Sequence, residues 1–232
     1  ALRDAHVAGA HFRGCTLRPA DASFLVRAGA LVFPPVPDLP FDPYRPTLYT
    51  ADELYRGLDG GYPATLDARI FAWSQQQLRP GELSADLAVT LHDHAISEAL
   101  AESVAGIDPR RIVGIMGGHA QHRGSRAYRA SAQLAHHLAD DGVVVLSGGG
   151  PGAMEAANLG AAFTGTGDEL DTVIDTLSVA VARAQDLTSW ARSAQQVRAT
   201  QPCTRFSLGI PTWFYGHEPP NLFATGIAKY FT

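Results

Sequence analysis

The chain of 232 residues contains a single lysine, Lys229, near its end. No glycine loop therefore carries a P-loop lysine, and no upstream lysine is present to form a Schiff base. Cysteine is nearly absent too. Cys15 and Cys203 stand far apart, with neither metal-ligand spacing nor a disulfide framework, which points to a reduced, cytoplasmic setting. No apolar run approaches the ~20 residues that span a bilayer. The N-terminus lacks the basic-then-apolar layout of a signal peptide. Positive charge is not in surplus, since the formal net charge is −5 and the pI about 6.0. No basic stripe suggests DNA, RNA or an anionic membrane as a partner. What remains is a globular composition, long enough for one large domain or a core domain with an appendage.

Glycine is plentiful, and its placement is informative. The stretch Ser147-Gly148-Gly149-Gly150-Pro151-Gly152-Ala153-Met154-Glu155-Ala156-Ala157-Asn158 follows the apolar run Val143–Leu146. The helix formers Ala156 to Ala162 come next. That order predicts strand, glycine loop, helix. Such a loop exposes backbone N–H groups and the positive end of a helix dipole, which suits a phosphate. Glu155, expected in the first helical turn, adds a carboxylate beside the anion nest. A carboxylate there suits stabilisation of a sugar cation or activation of water.

A second break, Gly117-Gly118-His119, ends the apolar run Arg111–Met116, expected as a buried strand. Ser125 to Asp140 reads as a helix with Tyr128, Ser131, Leu134, Ala135 and Leu138 on its inner side. Strand, helix, strand and helix in this order imply a parallel sheet. Both glycine turns then lie at the carboxyl edge of the strands, where open sheets bind ligands. The loop Gln121–Arg126 offers phosphate or base contacts, or is a solvated loop. Asp168 to Ala199 predicts an inserted helix or helix pair, with Leu170, Val173, Ile174, Leu177, Val181, Ala184 and Leu187 inward. Phe206–Ile210 predicts a third strand, and Glu218-Pro219-Pro220-Asn221 a rigid turn beyond it that closes over the ligand.

The first 108 residues differ in texture. Ala28–Phe33 predicts a strand, six prolines between residues 34 and 46 keep the chain irregular, and Thr50 with Glu53 forms a capping box. Leu87–Val104 has helical spacing. The expected division is an N-terminal cap or regulatory region over 1–108 and a nucleotide-binding domain over 109–232. His92-Asp93-His94 is expected on a surface helix, without a third ligand to make a metal site, and His136-His137 on an outer face. Trp213, Phe214 and Tyr215 either stack on a base or pack at a strand end.

Gly148, Gly150 and Ala153 also satisfy the loose dinucleotide pattern G-x-G-x-x-G/A. A dinucleotide site, however, places its loop after the first strand, with an acid about 20 residues on at the end of the second. Here the loop follows the second strand, which disfavours NAD.

Gly148–Asn158, followed by Leu159-Gly160-Ala161, closely resembles the first signature of the LOG-like nucleotide phosphoribohydrolases. Gly117-Gly118-His119, Tyr128 and Glu218-Pro219-Pro220-Asn221 are similar to the larger bacterial branch, the nucleotide 5′-monophosphate nucleosidases. The resemblance implies an α/β, Rossmann-like doubly wound parallel sheet, with an N-terminal mixed α/β extension and a helical insertion. It implies hydrolysis of an AMP-like nucleoside 5′-monophosphate to free base and ribose 5-phosphate, with no cofactor and no metal, in a homo-oligomer. By this resemblance Gly117, Gly118 and His119 border the nucleotide. Ser147, Gly148, Gly149, Gly150, Pro151, Gly152, Ala153, Met154 and Asn158 bind it, and Glu155 is the catalytic acid nearest the sugar. The family's second signature, Pro-Gly-Gly-x-Gly-Thr-x-x-Glu, does not occur in the chain. The expectation is a chain truncated at its C-terminal end. The competing expectation is a nucleotide-binding protein without catalysis.

Overall fold

Two hydroxyl side chains start helices where the sequence places them. Thr50 accepts a hydrogen bond from the Glu53 N–H at 3.1 Å, and Ser125 accepts one from the Tyr128 N–H at 3.2 Å. Each satisfies a donor that the first helical turn leaves free. The structure, a computed structural model, describes residues 6–77, 82–182, 186–214 and 218–232.

In chain order the elements are β1 (His11–Arg13), α1 (Pro19–Arg27), β2 (Leu31–Phe33), α2 (Ala51–Leu54), α3 (Leu66–Gln77) and α4 (Leu83–Val104). Then come β3 (Ile112–Ile115), α5 (Arg126–Asp140), β4 (Val144–Ser147), α6 (Ala153–Ala162), α7 (Gly167–Ala182), α8 (Leu187–Thr200), β5 (Ser207–Gly209) and β6 (Gly226–Ile227). β1 and β2 form a small parallel pair. The main sheet has the order β3-β4-β5-β6, all parallel. The chain is thus α/β with a Rossmann-like parallel sheet. The expected insertion is a helix pair, α7 and α8, with Leu170, Val173, Ile174 and Leu177 buried. Leu187 is 40% exposed instead. The Val181 side chain and Ala184 lie outside the described residues.

α5 and α6 cover one sheet face. Ala135, Val145, Ala157 and Ala161 form a small cluster with Ile115 and Leu138 against it. Small residues let the helices approach closely: a Cβ on Gly160 would collide with the Ala132 carbonyl of α5. Three expectations fail here. β3 is the edge strand and only half-buried, because nothing among the described residues pairs with its outer side. Leu134 points outward, while its neighbour His136 is buried with Nδ1 3.3 Å from the Gly160 carbonyl.

The main core crosses residue 108. Phe41, Tyr49, Leu54, Ile70 and Ile96 pack in one cluster with Tyr128, Leu159, Ile174, Trp213, Phe223 and Phe231. Such fully buried side chains each contribute about 1.5–3 kcal/mol relative to exposure, so the two regions are stabilised together. His92 belongs to this core rather than to a surface face. It is fully buried, bonds the Tyr49 hydroxyl at 2.8 Å, and packs against Phe41 and Phe231. Burial lowers its pKa below the usual imidazole value, against the opposing pull of Asp93. Asp93 itself accepts from the Phe231 and Thr232 N–H groups, tying α4 to residues 231–232.

Candidate functional site

β4 ends at Ser147, and the backbone turns through Gly148–Gly152 into α6. Gly152 adopts φ +73°, and a Cβ there would strike the Gly118 carbonyl, so only glycine fits. The two glycine turns therefore meet, as the sequence expects. They meet directly: the Ala153 N–H donates to the Gly118 carbonyl at 3.0 Å. The N–H groups of Gly150, Gly152, Met154 and Glu155 have no acceptor among the described residues. They form the donor-rich start of a ten-residue helix.

Ser147 and Asn158, expected to touch substrate, instead hold the loop from below. Both are fully buried. The Ser147 hydroxyl donates to Asn158 Oδ1 at 2.6 Å and accepts from the Gly149 N–H at 2.9 Å. Asn158 Nδ2 reaches the Leu208 carbonyl at 3.0 Å, linking α6 to β5. Asn221 completes the brace, donating from its backbone to the Gly149 carbonyl at 2.7 Å and from Nδ2 to Asn158 Oδ1 at 2.9 Å. These bonds engage the Gly149 and Gly150 carbonyls and the Gly149 N–H, while the N–H groups of Gly150 and Gly152 keep no acceptor among the described residues.

Glu155 lies in the first turn of α6, as expected, but it is sealed. Its exposure is 0%, and both carboxylate oxygens are held by Arg123, with Arg123 Nε to Oε2 at 2.9 Å and Nη2 to Oε1. Arg123 Nη1 also donates to Ser193 Oγ at 2.8 Å and to the Trp190 carbonyl at 3.1 Å, and its guanidinium stacks over the Trp190 ring. Burial opposes the Arg123 charge, and the Glu155 carboxylate outweighs that effect and raises its pKa. Burial likewise pushes the neighbouring Tyr128 hydroxyl well above its ordinary range, reinforced by Glu155. The expectation of Glu155 as the acid nearest a sugar thus meets a closed ion pair. In the sequence Arg123 stands out only as part of the polar loop Gln121–Arg126. Its sole signal was an arginine shortly before the N-cap of a helix that packs beside the Glu155 turn.

Gly148 of the loop and Met154 of the α6 start line a cavity of about 300 Å³, together with Met116, Ile210, Pro211, Thr212 and Glu218. That volume reaches the range of about 300–1,000 Å³ typical of small-molecule sites. The carboxylate in it belongs to Glu218. A Cβ built on Gly150 would lie 3.0 Å from Glu218 Oε2, so this group hangs directly over the loop. Glu218 Oε1 is 3.8 Å from His119 Nδ1, and both side chains are about half exposed or more. The turn Glu218–Asn221 thus brings a half-exposed carboxylate to the cavity.

This turn is fastened from several sides. The Tyr55 hydroxyl donates to the Pro220 carbonyl. Lys229, fully buried, reaches the Glu218 carbonyl at 3.4 Å and Asp67 Oδ1 at 2.7 Å. Burial lowers the Lys229 pKa, and Asp67 works against that shift. Trp213 donates its indole N–H to the same Asp67 oxygen at 2.9 Å and is buried, so it is not free to stack on a base. Phe214 is 65% exposed, and Tyr215 lies outside the described residues. Among the described residues, no three or more His, Cys, Asp or Glu side chains gather in a metal-holding group. No described helix is long and apolar enough to cross a membrane.

The stretch that carries both glycine turns is also where the chain matches a known family. Residues 110–167 fit the SLOG cluster4 family. The SLOG superfamily includes LOG-like Rossmann-type proteins and nucleotide-processing enzymes, so the match supports a nucleotide-related role for this segment. A search of curated proteins found no match.

Proposed function

We propose that the chain binds a nucleoside 5′-monophosphate at the Gly148–Met154 loop and hydrolyses its N-glycosidic bond, yielding free base and ribose 5-phosphate. One observation carries this reading. The N–H groups at the start of α6 that have no acceptor among the described residues lie beside a cavity lined by Met154 and by the half-exposed carboxylate of Glu218. The N–H groups and the helix dipole suit the phosphate dianion. The carboxylate suits the positive charge that develops on the ribose as the base departs. Gly117, Gly118 and His119 border the nucleotide in this reading, all three being exposed at the same edge. Glu155 enters as a positioning residue, because both its oxygens are committed to Arg123.

Binding without hydrolysis is favoured by that same closed ion pair, which removes the acid nearest the helix start. The two readings separate on a panel of AMP, GMP, CMP and UMP. Calorimetry reads binding, and release of ribose 5-phosphate reads hydrolysis. We expect saturable binding weakened by inorganic phosphate, with base and ribose 5-phosphate released in equal amounts. Binding without release supports the carrier reading, and no binding of any nucleotide overturns both.

A further inference from the structure

We infer that Glu218 is the catalytic carboxylate of this site, held in place by the N-terminal region. The inference rests on the hydrolase reading above. Three observations point the same way. Among the described residues that line the cavity beside the glycine loop, Glu218 carries the one carboxylate. Its Oε2 stands 3.0 Å from where a Cβ on Gly150 would lie, against the glycine loop itself. Its backbone is tied to the core. Lys229 bonds its carbonyl, Tyr55 bonds the Pro220 carbonyl, and Asn221 bonds the floor of the loop.

A carboxylate on a long side chain in water is a poor catalyst unless its position is fixed beforehand. Here two prolines follow it, and the anchoring groups come from α2 onward. Tyr55 follows α2 directly, and Lys229 is paired by Asp67 of α3. The N-terminal 108 residues thus contribute to the geometry of the site without lining the cavity.

The reaction balances as a hydrolysis. The C1′–N bond breaks, and its electron pair leaves with the base. A water oxygen bonds C1′, and the water's proton passes to the Glu218 carboxylate. Glu218 then returns that proton through solvent to the departed base nitrogen. His119, 3.8 Å from Glu218, borders the same path.

The test compares the full wild-type chain with E218Q and E218A, reading AMP binding by calorimetry and ribose 5-phosphate release separately. General-base catalysis accounts for about 10²–10⁴-fold in rate, and E218Q should lose turnover by that factor. Its AMP affinity should stay within about threefold of wild type, a kcat effect and not a KM effect. Formate should restore part of the turnover of E218A by supplying the missing carboxylate, which a structural role would not allow. E218Q turning over at the wild-type rate overturns this inference alone. A wild-type chain that binds AMP without releasing ribose 5-phosphate overturns the hydrolase reading and this role with it.

Discussion

At the scale of single residues, the decisive fact is where each carboxylate ends up. Glu155 and Glu218 are equally visible in the sequence, one beside a glycine loop and one before two prolines. Position in the chain favours Glu155, because a first helical turn next to an anion nest looks like a reaction centre. Arg123, 32 residues away, closes it off. The consequence is a stability prediction. Glu155→Gln leaves the Arg123 guanidinium buried with no counter-charge. Breaking one partner of a buried pair costs about 3–5 kcal/mol. The expected outcome is a large fall in the urea midpoint, with Glu155→Gln plus Arg123→Met recovering much of it. A Glu155→Gln variant as stable as wild type that had lost only turnover would restore Glu155 to the chemistry. No spacing rule reveals the Arg123 partnership, because it depends on how the Gln121–Ser125 loop folds back over the α6 start.

At the scale of elements, the strand–loop–helix order over β3 to α6 was legible from periodicity and glycine placement. The cap at Thr50 was legible as well, because it acts on Glu53, three positions away. Burial was harder to read. β3 has a fully apolar sequence and turns out to be an edge, and Leu134 and His136 exchange their expected faces. β3 is an edge because no described strand pairs with its outer side, and on α5 the close contact with α6 sets Ala132 and His136 against Gly160. Gly160→Ala tests that contact. Overpacking a tight interface costs about 1–3 kcal/mol. We expect a drop of that size in unfolding free energy, read from urea titration. Gly106→Ala, where a Cβ meets nothing within 4 Å, should show no comparable loss. Equal stability of the two variants would mean that α5 and α6 separate without cost.

At the scale of the whole molecule, the expected boundary near residue 108 does not mark an edge of the core. Ile96 of α4 packs in the same cluster as Trp213 and Phe231, and Asp67 of α3 neutralises the buried Lys229. Removing residues 1–108 would expose that apolar surface and strand a buried ammonium. We expect the 109–232 fragment to bind hydrophobic dye, lack near-ultraviolet circular dichroism and unfold without cooperativity. A cooperative melt near that of the full chain would show two independent units. By itself, the sequence determined the α/β class, the parallel strands and the glycine loop that opens α6. These follow from local periodicity and from backbone conformations that only glycine adopts. Tertiary structure alone decided which acid is sealed and which faces the cavity. That choice is made by partners distant in the chain, Arg123 for Glu155 and Tyr55, Asp67 and Lys229 for the turn carrying Glu218. A buried charge keeps its place only where folding brings it a counter-charge.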